Sequence, residues 1–154
     1  MSLFDSQNVF SGYKTSNVLQ GVSLQINSGE MVAVIGRNGV GKTTFIKTII
    51  GLIEIRSGEI FFDEKRLNNL ESFERAKLGI GYVPQGRDIF PQLSVKDNLR
   101  MGGFLNKKPS LDYDLVFNYF PFLKDRLQQR GGTLSGGQQE MPVSYTHLTL
   151  PTKA

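Results

Sequence analysis

Three glycines, a lysine and a threonine fall within residues 36–43, in the order GRNGVGKT. This order satisfies the pattern G-x-x-x-x-G-K-[ST], in which glycine lets the backbone curl so that successive N–H groups point at one anion. The lysine can reach the outer phosphates of a nucleotide, and the threonine hydroxyl can take a coordination place on Mg²⁺. The sequence therefore predicts a phosphate-binding loop, with a glycine turn beside an incidental lysine as the alternative.

The loop defines a first set of candidate site residues. Lys42 is the candidate catalytic residue of the set, and Thr43 is a candidate magnesium ligand. The residues assigned to nucleotide binding are Gly36, Asn38, Gly39, Gly41, Lys42, Thr43 and Thr44. The pattern alone indicates a nucleotide and little more, since kinases, GTPases, helicases and transport ATPases share it.

The elements on either side of the loop are a predicted strand and a predicted helix. Residues 31–36 (MVAVIG) are apolar throughout, which is typical of a strand covered on both faces in a parallel sheet. Apolar residues recur at helical spacing from Phe45 to Ile50, and Gly51 is a suitable helix stop. A glycine loop between such a strand and such a helix places the anion at the helix N-terminus.

Further elements follow the same reasoning. Residues 22–26 alternate as a half-buried strand does, and short strands are expected at 59–63 and 79–84. A polar segment at 70–78 resembles a helix. Ser94 and Asp97 indicate a capping box that opens a small helical subdomain at 94–130, which Pro121 interrupts.

Composition limits the remaining functions. The 154 residues contain no cysteine, which excludes disulfides, thiolate nucleophiles and cysteine-ligated metal sites. The net charge is +4 and the basic residues are scattered, so no nucleic acid is expected as a partner. No apolar run of membrane-spanning length and no secretory leader is visible, and we therefore expect a cytoplasmic protein.

A second motif narrows the function. Residues 134–138 read LSGGQ, and here the sequence resembles the ATP-binding cassette (ABC) family, whose signature has this form. The resemblance implies that Ser135 and Gly137 contact the γ-phosphate of ATP held by a second ABC ATPase subunit, in a head-to-tail dimer. The alternative is a Ser-Gly-Gly linker with a trailing Gln138.

Two further positions match this family. Tyr13 stands where the family places an aromatic side chain that stacks on adenine, although a lone tyrosine is more often ordinary packing. Gln85 follows the run GYVP and matches the glutamine that is expected to touch Mg²⁺ or the attacking water. By resemblance Gln85 is thus both a candidate catalytic residue and a candidate magnesium ligand, and it would link the site to a membrane partner.

The stretch QGRDIFPQLSVKDNL is similar to the cassette ATPases of branched-chain amino acid importers and their urea and amide relatives. The resemblance covers roughly residues 3–141. It implies ATP hydrolysis that drives solute uptake, with membrane permease subunits as partners and a solute-binding protein as an indirect one. It also implies a position on the inner face of the cell membrane, held there through the permease. A non-transport ABC ATPase acting on ribosomes or DNA is the alternative.

The resemblance ends near residue 141. Pro142 breaks the helix that LSGGQQEM begins, and the tail at 142–154 resembles translated vector or adapter sequence. The family's next strand, with its Asp-Glu pair and switch histidine, has no counterpart, so His147 is not assigned that role. Hydrolysis needs those carboxylates. We therefore expect a truncated chain that is unstable or inert, and inactive as an ATPase even where it binds ATP.

The predicted fold class is α/β, namely a P-loop NTPase core of the ABC ATPase type with a parallel sheet, an antiparallel N-terminal β subdomain and a partial helical subdomain, without the C-terminal half. The predicted domains are 1–93, a nucleotide-binding core with the phosphate loop and Gln85; 94–141, a helical subdomain with the signature; and 142–154, a disordered non-native tail.

Overall fold

The computed structural model describes residues 2–84, 89–102 and 113–135. The chain divides into two compact units, residues 1–75 and residues 76–154. None of the helices within the described ranges has the length and apolar character needed to span a lipid bilayer.

The first unit contains a four-stranded sheet in which every pairing is antiparallel, with the strand order β2-β1-β3-β4. The strands are β1 (Ser2–Tyr13), β2 (Ser16–Asn27), β3 (Ile55–Phe62) and β4 (Lys65–Arg66). The strand predicted at 22–26 lies within β2. The strand predicted at 59–63 is the second half of β3, which ends one residue earlier. The apolar residues alternate from Val22 to Ile26 in β2, whereas in β1 it is burial that alternates, at Phe4 and Ser6 and again at Val9 and Ser11.

The helix α1 (Lys42–Ile49) covers one face of this sheet. The ring of Phe45 meets the ring of Phe4 edge to face, with centroids 6.5 Å apart. The helix ends as predicted at Gly51, whose φ of 80° is left-handed and whose N–H donates to the carbonyl of Thr48. The buried apolar residues of this unit are Phe4, Val9, Leu19, Phe45, Ile53, Ile60 and Leu67.

The strands predicted at 31–36 and 79–84 are wrong for the structure as described. Both segments are irregular, and no β-ladder among the described residues includes either of them. Met31 is 99% exposed and Ile35 is 90% exposed, so the apolar run is not covered on either face. A strand is stabilised by hydrogen bonds to a neighbour, and here no described segment supplies the parallel partner that an apolar run of this kind requires.

The helix α2 (Ser72–Lys77) confirms the helical segment predicted at 70–78 and lies across the division between the units. In the second unit, α3 (Val95–Gly102) begins where the capping box was predicted. The hydroxyl of Ser94 accepts from the N–H of Asp97 at 3.0 Å and donates to its carboxylate at 2.6 Å. This arrangement satisfies an N–H that the first helical turn leaves without a partner.

The helical part of the second unit continues with α4 (Tyr113–Tyr119) and with 3₁₀ turns at Pro121–Arg126 and Gly131–Thr133. Pro121 begins the first of these turns, so the predicted interruption at this residue is confirmed. These elements share one apolar core, formed by Val95, Leu99, Val116, Leu123 and Leu134.

Asn98 joins the start of α3 to the segments before it. This side chain is 3% exposed, accepts from the N–H of Phe90 and donates to the carbonyls of Phe90 and Ser94. The N–H groups of Gly131 and Gly132 donate to carbonyls at 93 and 91, so the segment before the signature is paired with the one after Gln85.

Candidate phosphate-binding site

The loop from Gly36 to Gly41 is an exposed turn that leads directly into α1. Gly39 has a φ of 84° and Gly41 a φ of 99°, both in the left-handed region that L side chains rarely adopt. Glycine at these two positions therefore allows a curl that other residues would oppose. The pattern predicted this curl correctly, because the chemistry of the turn demands the residue type.

The side chain of Lys42 folds back over this loop. Its Nζ donates to the carbonyl oxygen of Gly36 at 2.6 Å and to that of Arg37 at 2.7 Å. The ammonium group is thus held above the loop backbone. A cation in this position can contact an anion bound within the loop. The structure brings the ammonium of Lys42 and the first glycine of the loop, Gly36, together.

The first turn of α1 presents backbone amides and no competing anion. It contains no acidic residue, and no side chain caps its N-terminus at Gly41. The helix dipole adds partial positive charge at this end. Thr43 is exposed while Thr44 is buried, so a hydroxyl is available at Thr43 and only the backbone amide at Thr44.

Buried hydrogen bonds hold α1 against the sheet. The hydroxyl oxygens of Thr48 and Ser11 are 2.9 Å apart, so one of the two hydroxyls donates to the other. The accepting hydroxyl donates its own proton to a backbone carbonyl, which is that of Glu54, 2.7 Å from Ser11, or that of Thr44, 2.8 Å from Thr48. Both hydroxyl side chains are fully buried. The helix is therefore tied to β1 by polar bonds as well as by Phe45, which limits rotation of the helix beneath the loop.

Arg75 closes the other end of α1. Its guanidinium donates to the carbonyls of Thr48 and Ile49, each at 2.8 Å, and to that of Leu70 at 2.9 Å. These helix carbonyls carry partial negative charge, which a buried cation complements. Burial lowers the pKa of Arg75 from its ordinary value because the charged form loses hydration. The sequence analysis missed this residue, since nothing in the segment 70–78 distinguishes a buried arginine from an exposed one.

Tyr13 lies at the tip of the β1–β2 hairpin, close along the chain to the residues that touch the loop. The side chain of Tyr13 is 50% exposed, so about half of its surface is open to solvent. The loop approaches the same hairpin, because a methyl group added at Gly41 would lie 3.1 Å from side-chain atoms of Val18 and Leu19. The end of the phosphate loop therefore packs against β2 within the first unit.

The residues present fit a nucleotide with its magnesium ion. The loop offers glycine curvature, a lysine ammonium and an uncapped helix N-terminus for the phosphates, and the exposed hydroxyl of Thr43 is a hard oxygen ligand of the kind Mg²⁺ accepts. Within the described ranges there is no cluster of three His, Cys, Asp or Glu side chains that would hold a metal ion by itself.

Of the remaining predicted site residues, only Ser135 lies within the part of the chain that the structure describes. Ser135 is exposed and follows Leu134, whose side chain is buried in the core of the second unit. Gln85 and Gly137 lie outside the described residues, as do Gln138, His147 and the tail at 142–154. The predictions made for these residues therefore remain predictions.

Comparisons with known proteins agree with this geometry. The family model described as ABC transporter matches residues 19–143. The high-affinity branched-chain amino acid transport ATP-binding protein BraG of Pseudomonas aeruginosa is 39% identical over 143 residues, which cover 92% of this chain and 60% of that protein. The chain thus spans about 60% of the length of this relative.

Solved structures give the same result. One described as the ATP binding subunit of an ABC transporter is 30% identical, with a TM-score of 0.82, and the match covers 94% of this chain and 61% of that one. The dimeric post-hydrolysis state of the ATP-binding cassette MJ0796, bound to ADP and Pi, is 26% identical with a TM-score of 0.77. That match covers 96% of this chain and 70% of the cassette.

Proposed function

The chain belongs to the ABC transporter family, and on this premise we propose that it binds MgATP as the ATP-binding subunit of a solute importer. Its fold is that of an ABC ATPase, and its similarity to BraG sets it in the branch of branched-chain amino acid transport ATP-binding proteins. The family hydrolyses ATP. Hydrolysis coupled to uptake is the proposal for the whole protein.

The observation that carries the proposal is the position of Lys42. Its ammonium is held by the carbonyls of Gly36 and Arg37, above a glycine turn that leads into an uncapped helix N-terminus. This combination suits a polyphosphate, since a mobile cation and several fixed amides can share three phosphate groups. The ammonium of Lys42 can exchange the two carbonyls for phosphate oxygens by a movement of its side chain alone.

Each site residue has a proposed role toward ATP. The amides of the loop and of Lys42, Thr43 and Thr44 bind phosphate oxygens, the Thr43 hydroxyl joins the magnesium coordination, and Tyr13 stacks on adenine. Gly36, Asn38, Gly39 and Gly41 shape the loop. Magnesium, when bound with ATP, offsets the negative charge of the β- and γ-phosphates.

The proposed ATP site also uses three residues outside the phosphate loop, namely Ser135 and Gly137 of the signature and Gln85. Ser135 and Gly137 would contact ATP on a second subunit, and the dimeric form in which MJ0796 was solved supports this arrangement. Gln85 would contact the magnesium ion or the attacking water. The partners would be permease subunits on the inner face of the cell membrane and, indirectly, a solute-binding protein. The name of BraG supports a branched-chain amino acid as the solute class.

The test is ATP binding by the purified chain. MgATP binding is measured by isothermal titration for the wild type and for Lys42→Ala. We expect the variant to lose at least about tenfold in affinity, because a charge-assisted contact to phosphate is removed. Unchanged affinity in Lys42→Ala would refute the proposal.

Lys47→Ala is the matched control for this test. Lys47 lies in the last turn of the same helix, away from the loop, and the substitution removes the same charge. We expect MgATP affinity to stay within about twofold of the wild type, because salt-screened charges at this distance contribute little. Equal losses in both variants would indicate a general effect of charge and would contradict a specific role for Lys42.

A further inference from the structure

Arg56 lies at an irregularity of β3 and reaches the tip of the β1–β2 hairpin. In the β1–β3 ladder, Phe10 pairs with Ser57 and Ser11 pairs with Ile55, so Arg56 is the extra residue of a β-bulge. Bulges redirect a side chain relative to the regular pleat. Here the guanidinium donates to the side-chain oxygen of Asn17 at 2.5 Å and also to the backbone carbonyl of Lys14.

These two bonds tie together both arms of a tight tip. Lys14 has a φ of 49°, in the left-handed region that a residue with a side chain adopts at an energetic cost. A methyl group at Gly12 would lie 2.1 Å from the carbonyl oxygen of Ser16, so the two arms approach as closely as glycine allows. Arg56 binds the carbonyl of the strained residue and therefore stabilises this conformation of the tip.

The tip carries Tyr13, which pairs with Ser16 at the end of β1. Three and four residues beyond the tip turn, Val18 and Leu19 lie against the position of Gly41 in the phosphate loop. Any change in the turn at Lys14 would move Tyr13 relative to this fixed contact. The distance between the aromatic ring and the phosphate loop thus depends on how firmly the tip is held.

We propose that Arg56 is a positioning residue for the base-binding side of the nucleotide site. It acts through Tyr13, by holding the hairpin tip in one conformation and so fixing the position of the ring relative to the phosphate loop, and has no contact with phosphate. The inference rests on the proposed function, and it adds a residue that distinguishes a nucleotide from a bare polyphosphate. The phosphate loop alone makes no such distinction.

The test compares two ligands, MgATP and inorganic tripolyphosphate, by isothermal titration against Arg56→Gln, Tyr13→Ala and the double variant. We expect Arg56→Gln to bind MgATP about five- to tenfold more weakly, as partial loss of a stacking contact does, and tripolyphosphate as the wild type does. In the Tyr13→Ala background, Arg56→Gln should cause no further loss, because residues that act through one contact are not additive. Retained tripolyphosphate binding also shows that the variant is folded.

Arg66→Gln is the matched control, since Arg66 is an exposed arginine of the same sheet, paired with Glu59 at 3.0 Å. It should bind both ligands as the wild type does. The inference is overturned if Arg56→Gln leaves MgATP binding unchanged, weakens both ligands equally, or adds to the loss in Tyr13→Ala. If the wild type binds neither ligand, or if Lys42→Ala binds both unchanged, the proposed function fails and the inference fails with it.

Discussion

At the scale of single residues, the phosphate loop depends on backbone freedom at two glycines and on one ammonium group. Gly39 and Gly41 have left-handed φ values, and the Nζ of Lys42 lies over the loop carbonyls. The residue types at 36–43 predicted the curled backbone at the two glycines, because only glycine adopts such φ values without strain. The position of Lys42 against the carbonyls of Gly36 and Arg37 could not be predicted, since a lysine side chain has several rotamers of similar energy.

A substitution at Gly39 tests the role of this backbone conformation. A methyl group at Gly39 meets no atom within 4 Å, but the φ of 84° is unfavourable for alanine. We expect Gly39→Ala to destabilise the loop by about 1 kcal/mol and to weaken MgATP binding about fivefold or more, because the amides turn away from the phosphates. Isothermal titration and urea denaturation measure the two effects.

Gly29→Ala is the control that separates strain from ligand binding. Gly29 has a φ of 78° and equally open surroundings, but it lies outside the phosphate loop. We expect a similar loss of unfolding free energy and no loss of MgATP affinity. Equal effects of the two variants on MgATP affinity would mean that the loop glycine has no specific role.

At the scale of elements, α1 is fixed at both ends and along one face. Its C-terminal carbonyls accept from the guanidinium of Arg75 in α2, and its middle is bonded to β1 through Thr48 and Ser11. Because the phosphate loop is joined directly to α1, contacts that fix the helix also fix the end of the loop. These supporting bonds join residues 37 or 27 positions apart in the chain, so no local pattern indicates them.

Arg75→Met tests the contribution of this cap. The substitution keeps much of the side-chain volume and removes the guanidinium from the carbonyls of Ile49 and Leu70, while the carbonyl of Thr48 keeps the N–H of Gly51 as a donor. We expect the free energy of unfolding to fall by about 2–4 kcal/mol, as measured by urea denaturation followed by circular dichroism. Arg66→Met, at an exposed ion pair, should change it by less than about 1 kcal/mol. Similar effects of the two substitutions would show that the contacts of Arg75 with α1 contribute no more to the free energy of unfolding than an exposed ion pair does.

At the scale of the whole molecule, the apolar run at 31–36 is the feature that most affects behaviour in solution. Its residues form no strand in the described structure, and Met31 and Ile35 are almost fully exposed. Exposed apolar segments with high β-propensity favour association between chains. The wild-type chain should therefore associate in a concentration-dependent manner.

Replacing Met31 and Ile35 together with lysine tests this expectation. We expect static light scattering to show much less association, while the free energy of unfolding changes by less than about 1 kcal/mol because neither side chain is buried. The control is Gln20→Lys with Gln25→Lys, which adds the same charge at two exposed polar positions. If this control suppresses association equally, charge is the cause and the apolar run is not.

The sequence by itself determined the family, the glycine turn at 36–41, the capping box at Ser94, most of the helices, and parts of the strands β2 and β3. Each of these depends on residue type over a few neighbouring positions, where glycine conformation, capping and periodicity operate. The family match and the solved cassette structure confirmed the predicted fold class, an ABC ATPase.

Only the tertiary structure decided which residues support the site. It showed that Arg75 caps α1, that Arg56 holds the hairpin tip, and that the apolar run at 31–36 is not a strand. The physical reason is common to all three. A buried cap, a tied hairpin and a paired strand each need a partner that is distant in the chain, and short-range sequence patterns carry no information about which distant partner is present.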